Sequence, residues 1–203
     1  VSYPALDRGV VSLGRSPGIT LEPLSLQFVI CAQAIDATAL DVGCGDGVAT
    51  IALLARGGHV VAVDPDAAAL HRLVERVPTE QCQRLKVRLG RLPDIDFKVA
   101  NFGAIHAAHV LHLLDPVSVG QSLGKFYRWL YPKGKLFVSA LTPAGALQAA
   151  RAGSMQPGRL YPLDEQTLCR AISAAGFAIE ESATYVPQWR RTQECCAVIA
   201  SVS

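Results

Sequence analysis

The 203 residues are 50% hydrophobic and 18% charged, and 19 Lys and Arg against 17 Asp and Glu leave a formal charge of +2. Such a chain carries enough apolar side chains for one compact domain with a sizeable core, which excludes a disordered or collagen-like chain. The charge balance names no nucleic acid partner, and no apolar run reaches the ~18 to 20 residues of a membrane span.

In chain order, Gly14 to Gly18 is an irregular lead and Glu22 to Gln33 reads as a helix over the mouth of the site. Thr38 to Val42 is a first buried strand, closed by Gly43, Cys44, Gly45, Asp46 and Gly47. Val48 to Arg56 is a helix capped by Gly57 and Gly58. His59 to Val63 is a second strand ending at Asp64, and Ala67 to Arg76 is a helix that stops before Pro78. Leu85 to Leu89 and Ala104 to Ala108 are the third and fourth strands. A short helical stretch to Leu114 follows, then an amphipathic helix with Val119, Leu123, Phe126, Tyr127 and Leu130 on one face.

Leu136 to Leu141 is a fifth strand. Thr142 to Pro162 has no clear period and reads as an irregular insertion with one short helix, the kind of segment that closes over a ligand. Asp164 is an N-cap for the stripe Leu168, Ala171, Ile172, Ala175, and Gly176 ends that helix. Phe177 to Tyr185 and Glu194 to Val202 form a terminal hairpin. Short β-rich runs alternating with helical periods predict an α/β, Rossmann-like layered domain with a largely parallel sheet.

The glycine turn follows a strand and opens a helix, so the backbone is open to close approach and the helix N-terminus attracts negative charge. A nucleotide-like ligand is the natural occupant. The spacing is G-x-G-x-G, whereas dinucleotide dehydrogenases favour G-x-G-x-x-G, a pattern that Asp46 breaks. Asp64 ends the second strand, where a carboxylate can accept both hydroxyls of a ribose.

Leu-Asp-Val-Gly-Cys-Gly-Asp-Gly at 40 to 47 and Val-Val-Ala-Val-Asp-Pro-Asp at 60 to 66 resemble the class I S-adenosylmethionine-dependent methyltransferases of small-molecule type. Phe102 to Leu114, Leu130 to Leu136 and Ala174 to Phe177 extend the similarity, which covers about residues 38 to 202. The resemblance implies a seven-stranded, mostly parallel sheet with an antiparallel last strand and helices on both faces. It also implies one domain over 1–203: an N-terminal cover (1–37), a cofactor-binding half (38–141), a lid insertion (142–163), and a helix with the terminal hairpin (164–203).

By the same resemblance the cofactor is S-adenosylmethionine. Asp41 with Gly43, Gly45 and Gly47 would hold its methionine part, Asp64 its ribose, and Pro65 its adenine, with Arg91, Leu92 and Ala107 completing the set. Arg91 stands where the family has an Asp that contacts the adenine amino group. A guanidinium cannot accept a hydrogen bond, which leaves that contact to Asp94 or to the backbone at Leu92. Gly103 is a second departure, at a place where the family commonly has Asp.

Methyl transfer from a sulfonium needs alignment and an acceptor in its reactive protonation state. His106 is expected to point into the sheet, whereas His109 begins the turn beyond the fourth strand, where ligands of open α/β sheets bind. His109 is therefore the candidate base, with pocket lining as its other reading, and His112 is expected on the same helical face. No carboxylate or Cys stands near these histidines at ligand spacing, so no metal site is expected.

The six cysteines, at 31, 44, 82, 169, 195 and 196, contain no C-x-x-C, which fits a reducing, cytoplasmic setting without a disulfide framework. Arg84, Lys86 and Arg88 alternate along the third strand as charges of an exposed edge would. The hairpin tip with Trp189, Arg190 and Arg191 is expected to close over a small-molecule acceptor together with the 142–162 insertion. An NAD(P)-dependent oxidoreductase, and an inactive binding partner that keeps the fold, are the alternatives to a methyltransferase.

Overall fold

The computed structural model describes residues 21–33, 37–152, 160–187 and 193–202. The lead from Gly14 to Gly18, the centre of the insertion at 153–159, and Trp189, Arg190 and Arg191 lie outside the described residues.

Seven strands form one sheet in the order β3-β2-β1-β4-β5-β7-β6. They are β1 (Ala39–Val42), β2 (Val60–Asp64), β3 (Leu85–Leu89), β4 (Phe102–Ala108), β5 (Leu130–Leu141), β6 (Ala178–Tyr185) and β7 (Cys195–Ser201). Strands β1 to β5 pair in parallel, and β7 runs antiparallel to both β5 and β6. Among the described residues six α-helices complete the layers: α1 (Pro23–Gln33), α2 (Val48–Ala55), α3 (Ala67–Arg76), α4 (Pro116–Trp129), α5 (Pro143–Arg151) and α6 (Glu165–Ala174).

The sheet is sandwiched between two apolar clusters. One is built from α4 and α6, with Leu123, Phe126, Trp129, Leu168 and Ile172 against β4, β5 and β7. The other lies under α1 and α2, where Phe28, Leu53 and Leu54 meet Val60, Ala104 and Phe137. Central strands β4 and β7 are buried on both faces, as near-continuous apolar runs require, while β3 exposes most of its length as an edge strand.

Helix starts follow the acids that the sequence supplies. Asp66 accepts from the Ala68 amide, Asp115 from Val117 and Ser118, and Asp164 from Thr167. Strand β5 begins at Leu130, six residues before the sequence pattern predicts. Tyr131 to Lys135 lies ahead of the predicted strand, yet Leu130 already pairs with Phe102 before a register shift. The predicted insertion contains α5, which begins at Pro143 behind the Thr142 cap. Among the described residues no helix is long and apolar enough to cross a membrane.

Candidate functional site

The site is built where β1, β2 and β4 end. Beyond Val42 the amides of Gly43 and Cys44 both donate to the Val63 carbonyl, at 2.7 and 3.0 Å, which ties the turn to the end of β2. Gly43, Gly45 and Gly47 all have positive φ, at 66, 50 and 81°. A Cβ on Gly43 would lie 2.4 Å from Val110 Cγ2, and one on Gly47 would lie 2.1 Å from Leu73 Cδ1. A Cβ on Gly45 would meet nothing within 4 Å. Two of the glycines therefore allow tight packing beneath the turn, and Gly45 presents bare backbone to open space.

Asp64 fixes that backbone. Its Oδ2 accepts the Gly45 amide at 2.9 Å and its Oδ1 accepts the Asp66 amide at 2.8 Å. Each carboxylate oxygen keeps a further lone pair, so the group can brace the turn and still accept hydroxyl donors from a ligand. Gly47, the N-cap of α2, supplies no side-chain cap, leaving that helix start to its own amides.

Asp41 lies behind the turn rather than on its open side. Its Oδ2 accepts the Thr50 hydroxyl at 2.6 Å and its Oδ1 faces His106 Nδ1 at 3.0 Å. The other ring nitrogen of His106 is 2.9 Å from the Ser25 hydroxyl on α1. Asp41, His106 and Ser25 are all buried, and His106 stacks on Phe137 at 4.8 Å between ring centres. His106 thus points into the sheet, as expected, and joins the covering helix to the base of the turn.

One helical turn earlier, Glu22 makes a second clasp. Its Oε1 is 2.5 Å from His109 Nε2, and its Oε2 accepts the Tyr185 hydroxyl. Burial alone would push the Glu22 carboxyl up, but the hydrogen bond and charge of His109, with help from Tyr185 and His106, hold it below the ordinary value. Burial and the neighbouring Glu22 charge push the Tyr185 phenol well up, so Tyr185 stays protonated and donates.

His109 has φ 57°, and its amide donates to the Ser139 carbonyl at 2.9 Å, which turns the ring off the strand axis toward α1. Its Nε2 is taken by Glu22 and its Nδ1 is buried. The expected base is therefore beyond the strand end, as predicted, but with neither nitrogen turned toward solvent. His112 lies with its ring centre 6.1 Å from that of His109 and its Nδ1 3.4 Å from the Leu141 amide.

Cys195, at the start of β7, completes this cluster: Glu22, His109 and Cys195 offer ligand atoms that all lie within 4.8 Å of one another. The three residues come from α1's approach, the exit of β4 and the final strand. No local spacing could have signalled their meeting, because the absence of a carboxylate or Cys at ligand spacing along the sequence says nothing of partners brought in by the fold.

Among the remaining expected contacts, Pro65 and Arg91 are exposed. Leu92 packs in the core, and Ala107 is fully buried opposite Val138. Ala107, next to last in β4, therefore offers no exposed side-chain surface to a ligand. The insertion and the terminal strand do converge. Thr142 Oγ1 donates to Glu194 Oε1 at 2.7 Å, the Glu194 amide donates to Gln148 at 3.1 Å, and the Tyr161 amide donates to the His112 carbonyl at 2.8 Å.

A family model described as a methyltransferase domain matches residues 39–134, the span that carries the turn, Asp64 and the exit of β4. The ubiquinone biosynthesis O-methyltransferase of Xylella fastidiosa strain M23 is 31% identical over 157 residues, 73% of this chain and 60% of the relative. Over this span the chain is similar to the S-adenosylmethionine-dependent methyltransferases. A further relative of the same name, from Xanthomonas axonopodis pv. citri, is 30% identical over 155 residues, covering 73% of this chain and 62% of its own length. The chain thus spans about three fifths of the curated relatives it matches.

The fold is shared with the Burkholderia thailandensis 1,6-didemethyltoxoflavin-N1-methyltransferase, solved with 1,6-didemethyltoxoflavin and S-adenosylhomocysteine. That match has TM-score 0.70 at 21% identity and covers 89% of this chain and 77% of the other. The [4+2]-cyclase SpnF matches at TM-score 0.66 and 16% identity, over 87% and 80% of the two chains. This methyltransferase fold therefore also carries other chemistry, and the reaction must be argued from the site.

Proposed function

We propose that the chain binds S-adenosylmethionine across the glycine turn and transfers its methyl group to a hydroxyl of a small-molecule acceptor, within a single domain that works in the cytoplasm. The observation that carries this reading is the pairing of Gly45 with Asp64: bare backbone facing open space, held by a carboxylate with lone pairs to spare. That combination suits a ribose and an amino acid moiety lying across one turn, and the curated relatives named as O-methyltransferases favour oxygen as the attacking atom.

When bound, the cofactor supplies an activated methyl group. The chain's own share is alignment and exclusion of water. Asp64 would orient the ribose, Gly43, Gly45 and Gly47 would admit the methionine part, and Asp41 would support the turn from behind through Thr50 and His106. Pro65 and Arg91, exposed beside the turn, would flank the adenine. His109 would take an acceptor proton only with the Glu22 carboxylate drawn off Nε2. The G-x-G-x-G spacing and the family match leave the nicotinamide alternative without support.

The test is transfer of radiolabelled methyl from S-adenosylmethionine to a panel of small phenols and alcohols, with Asp64→Ala run in parallel. Label in an O-methyl product, reduced about ten- to a hundred-fold in kcat/KM by Asp64→Ala at limiting cofactor, is the expected result. Label on nitrogen or carbon, or a rate indifferent to Asp64, would contradict it.

A further inference from the structure

The cluster at the exit of β4 holds more chemistry than alignment of a methyl group requires. A carboxylate, an imidazole and a thiol meet there from three distant parts of the chain. Glu22 is 6% exposed, Cys195 is fully buried, and the His109 side chain is 16% exposed. We propose that Glu22, His109 and Cys195 form a binding site for one zinc-class divalent cation. The site shares His109 with the methyl-transfer reading: with the ion on Nε2, His109 has no lone pair there to take an acceptor proton.

The donor set chooses the ion. Oxygen, imidazole nitrogen and thiolate sulfur together suit zinc and its borderline-soft neighbours, whereas magnesium and calcium want an all-oxygen shell. Three protein ligands leave one position of a tetrahedron open.

The geometry admits the ion with small side-chain movements. Bonds of about 2.0 to 2.3 Å set tetrahedral ligands roughly 3.3 to 3.6 Å apart. The Glu22–His109 separation of 2.5 Å is shorter than this, and the cluster's outer bound of 4.8 Å is longer. An ion would therefore stand where the proton between Nε2 and Oε1 now stands, spreading that pair and drawing the thiol inward. The imidazole would keep its one remaining proton on Nδ1, while the proton displaced from between Nε2 and Oε1 and the Cys195 thiol proton would both pass to buffer.

The surroundings hold the ligands in place. Tyr185 donates to the second oxygen of Glu22, and its strand partner in register is Cys195 itself. Ser139, on the neighbouring β5, accepts the His109 amide and pairs with Ala197 two residues beyond Cys195. Outer contacts of this kind orient metal ligands and sustain affinity. The ion would also fasten the start of α1 to the sheet, adding to the Ser25–His106 clasp one turn further on.

The test uses the full chain, stripped with a chelator and titrated with Co2+ as a spectroscopic probe. Expected are one ion per chain, a thiolate-to-cobalt charge-transfer band, and d–d bands of four-coordinate intensity, all displaced by Zn2+. Calorimetry of Zn2+ binding in two buffers of different ionisation enthalpy should show at least one proton released per ion. Cys195→Ser should abolish the charge-transfer band, Glu22→Gln and His109→Gln should weaken binding, and Cys82→Ser, at an exposed position, should change nothing.

Absence of stoichiometric binding, or a band that survives Cys195→Ser, overturns the proposal. If Cys195→Ser fails to fold, X-ray absorption on the parent with zinc decides: one sulfur and two light scatterers from protein support the site, and no sulfur refutes it. S-adenosylhomocysteine titrated into the same stripped chain reports on the cofactor reading separately.

Discussion

Replacing Asp64 with Asn changes charge while keeping shape, and the consequences can be worked from two hydrogen bonds. The carboxylate accepts the Gly45 amide at 2.9 Å on one oxygen and the Asp66 amide at 2.8 Å on the other. In Asn one of those oxygens becomes an NH2 group that faces an amide donor, so one bond is lost and the other becomes neutral. Loss of a hydrogen bond to a charged acceptor costs about 1.5 to 3 kcal/mol, and urea denaturation near neutral pH should show a deficit of that order. The ribose hydroxyls would lose the same acceptor, which adds a roughly ten- to hundred-fold loss of S-adenosylhomocysteine affinity by calorimetry under conditions where the variant is folded. Unchanged stability would refute the brace between β2 and the turn. A stability deficit with parental affinity would refute the ribose role while leaving the brace intact.

Gly47→Ala forces a side chain to φ 81° and into Leu73, so left-handed strain of about 1 to 2 kcal/mol adds to overpacking of about 1 to 3, read as a fall in Tm. Gly45→Ala meets no neighbour within 4 Å and should cost only the strain, about 1 to 2 kcal/mol, yet reduce S-adenosylhomocysteine affinity by more than that, because the methyl enters the ligand's approach. Glu22→Gln removes a carboxyl held below its ordinary value, so the stability it contributes is present above the unfolded pKa of about 4.3 and lost as pH falls through the folded value. The variant should be less stable than the parent at neutral pH, with the gap closing in acid; a gap that widens below pH of about 4 would contradict the assignment. Ser25→Ala unpartners one side of buried His106 and should cost about 1 to 3 kcal/mol in urea denaturation, with no change in the cofactor stoichiometry.

The sequence was most legible where local chemistry is decisive. The strand, glycine turn, helix and second strand from Ala39 to Asp64 follow from β-branched runs, positive-φ glycines and the break after Gly57. The Asp66 and Asp164 caps follow from side chains that reach only their own helix starts. The stretch Tyr131 to Lys135 has no apolar strand pattern of its own, and the early start of β5 depends on Leu130 meeting Phe102 in the fold. At the proposed site, position in the sequence is enough to put Asp64 at the end of β2 beside the turn glycines, where it accepts the Gly45 amide. The partners of His109 could not be placed in that way, since Glu22 is 87 residues away in sequence and gains its role only when α1 packs on the sheet. Asp41 illustrates the same limit from the other side: an acid next to a glycine turn looks like a ligand contact, and only the fold reveals Thr50 and His106 already on its two oxygens.

Gly45 and Asp64 together are proposed to seat S-adenosylmethionine. The most direct measurement is calorimetric titration of the full chain with S-adenosylhomocysteine and, separately, with NADH. One S-adenosylhomocysteine bound per chain, with a Tm rise equivalent to ~2.7 kcal/mol at a hundred times the dissociation constant and no heat from NADH, is the predicted result. Heat from NADH with none from S-adenosylhomocysteine, or silence from both, would contradict it.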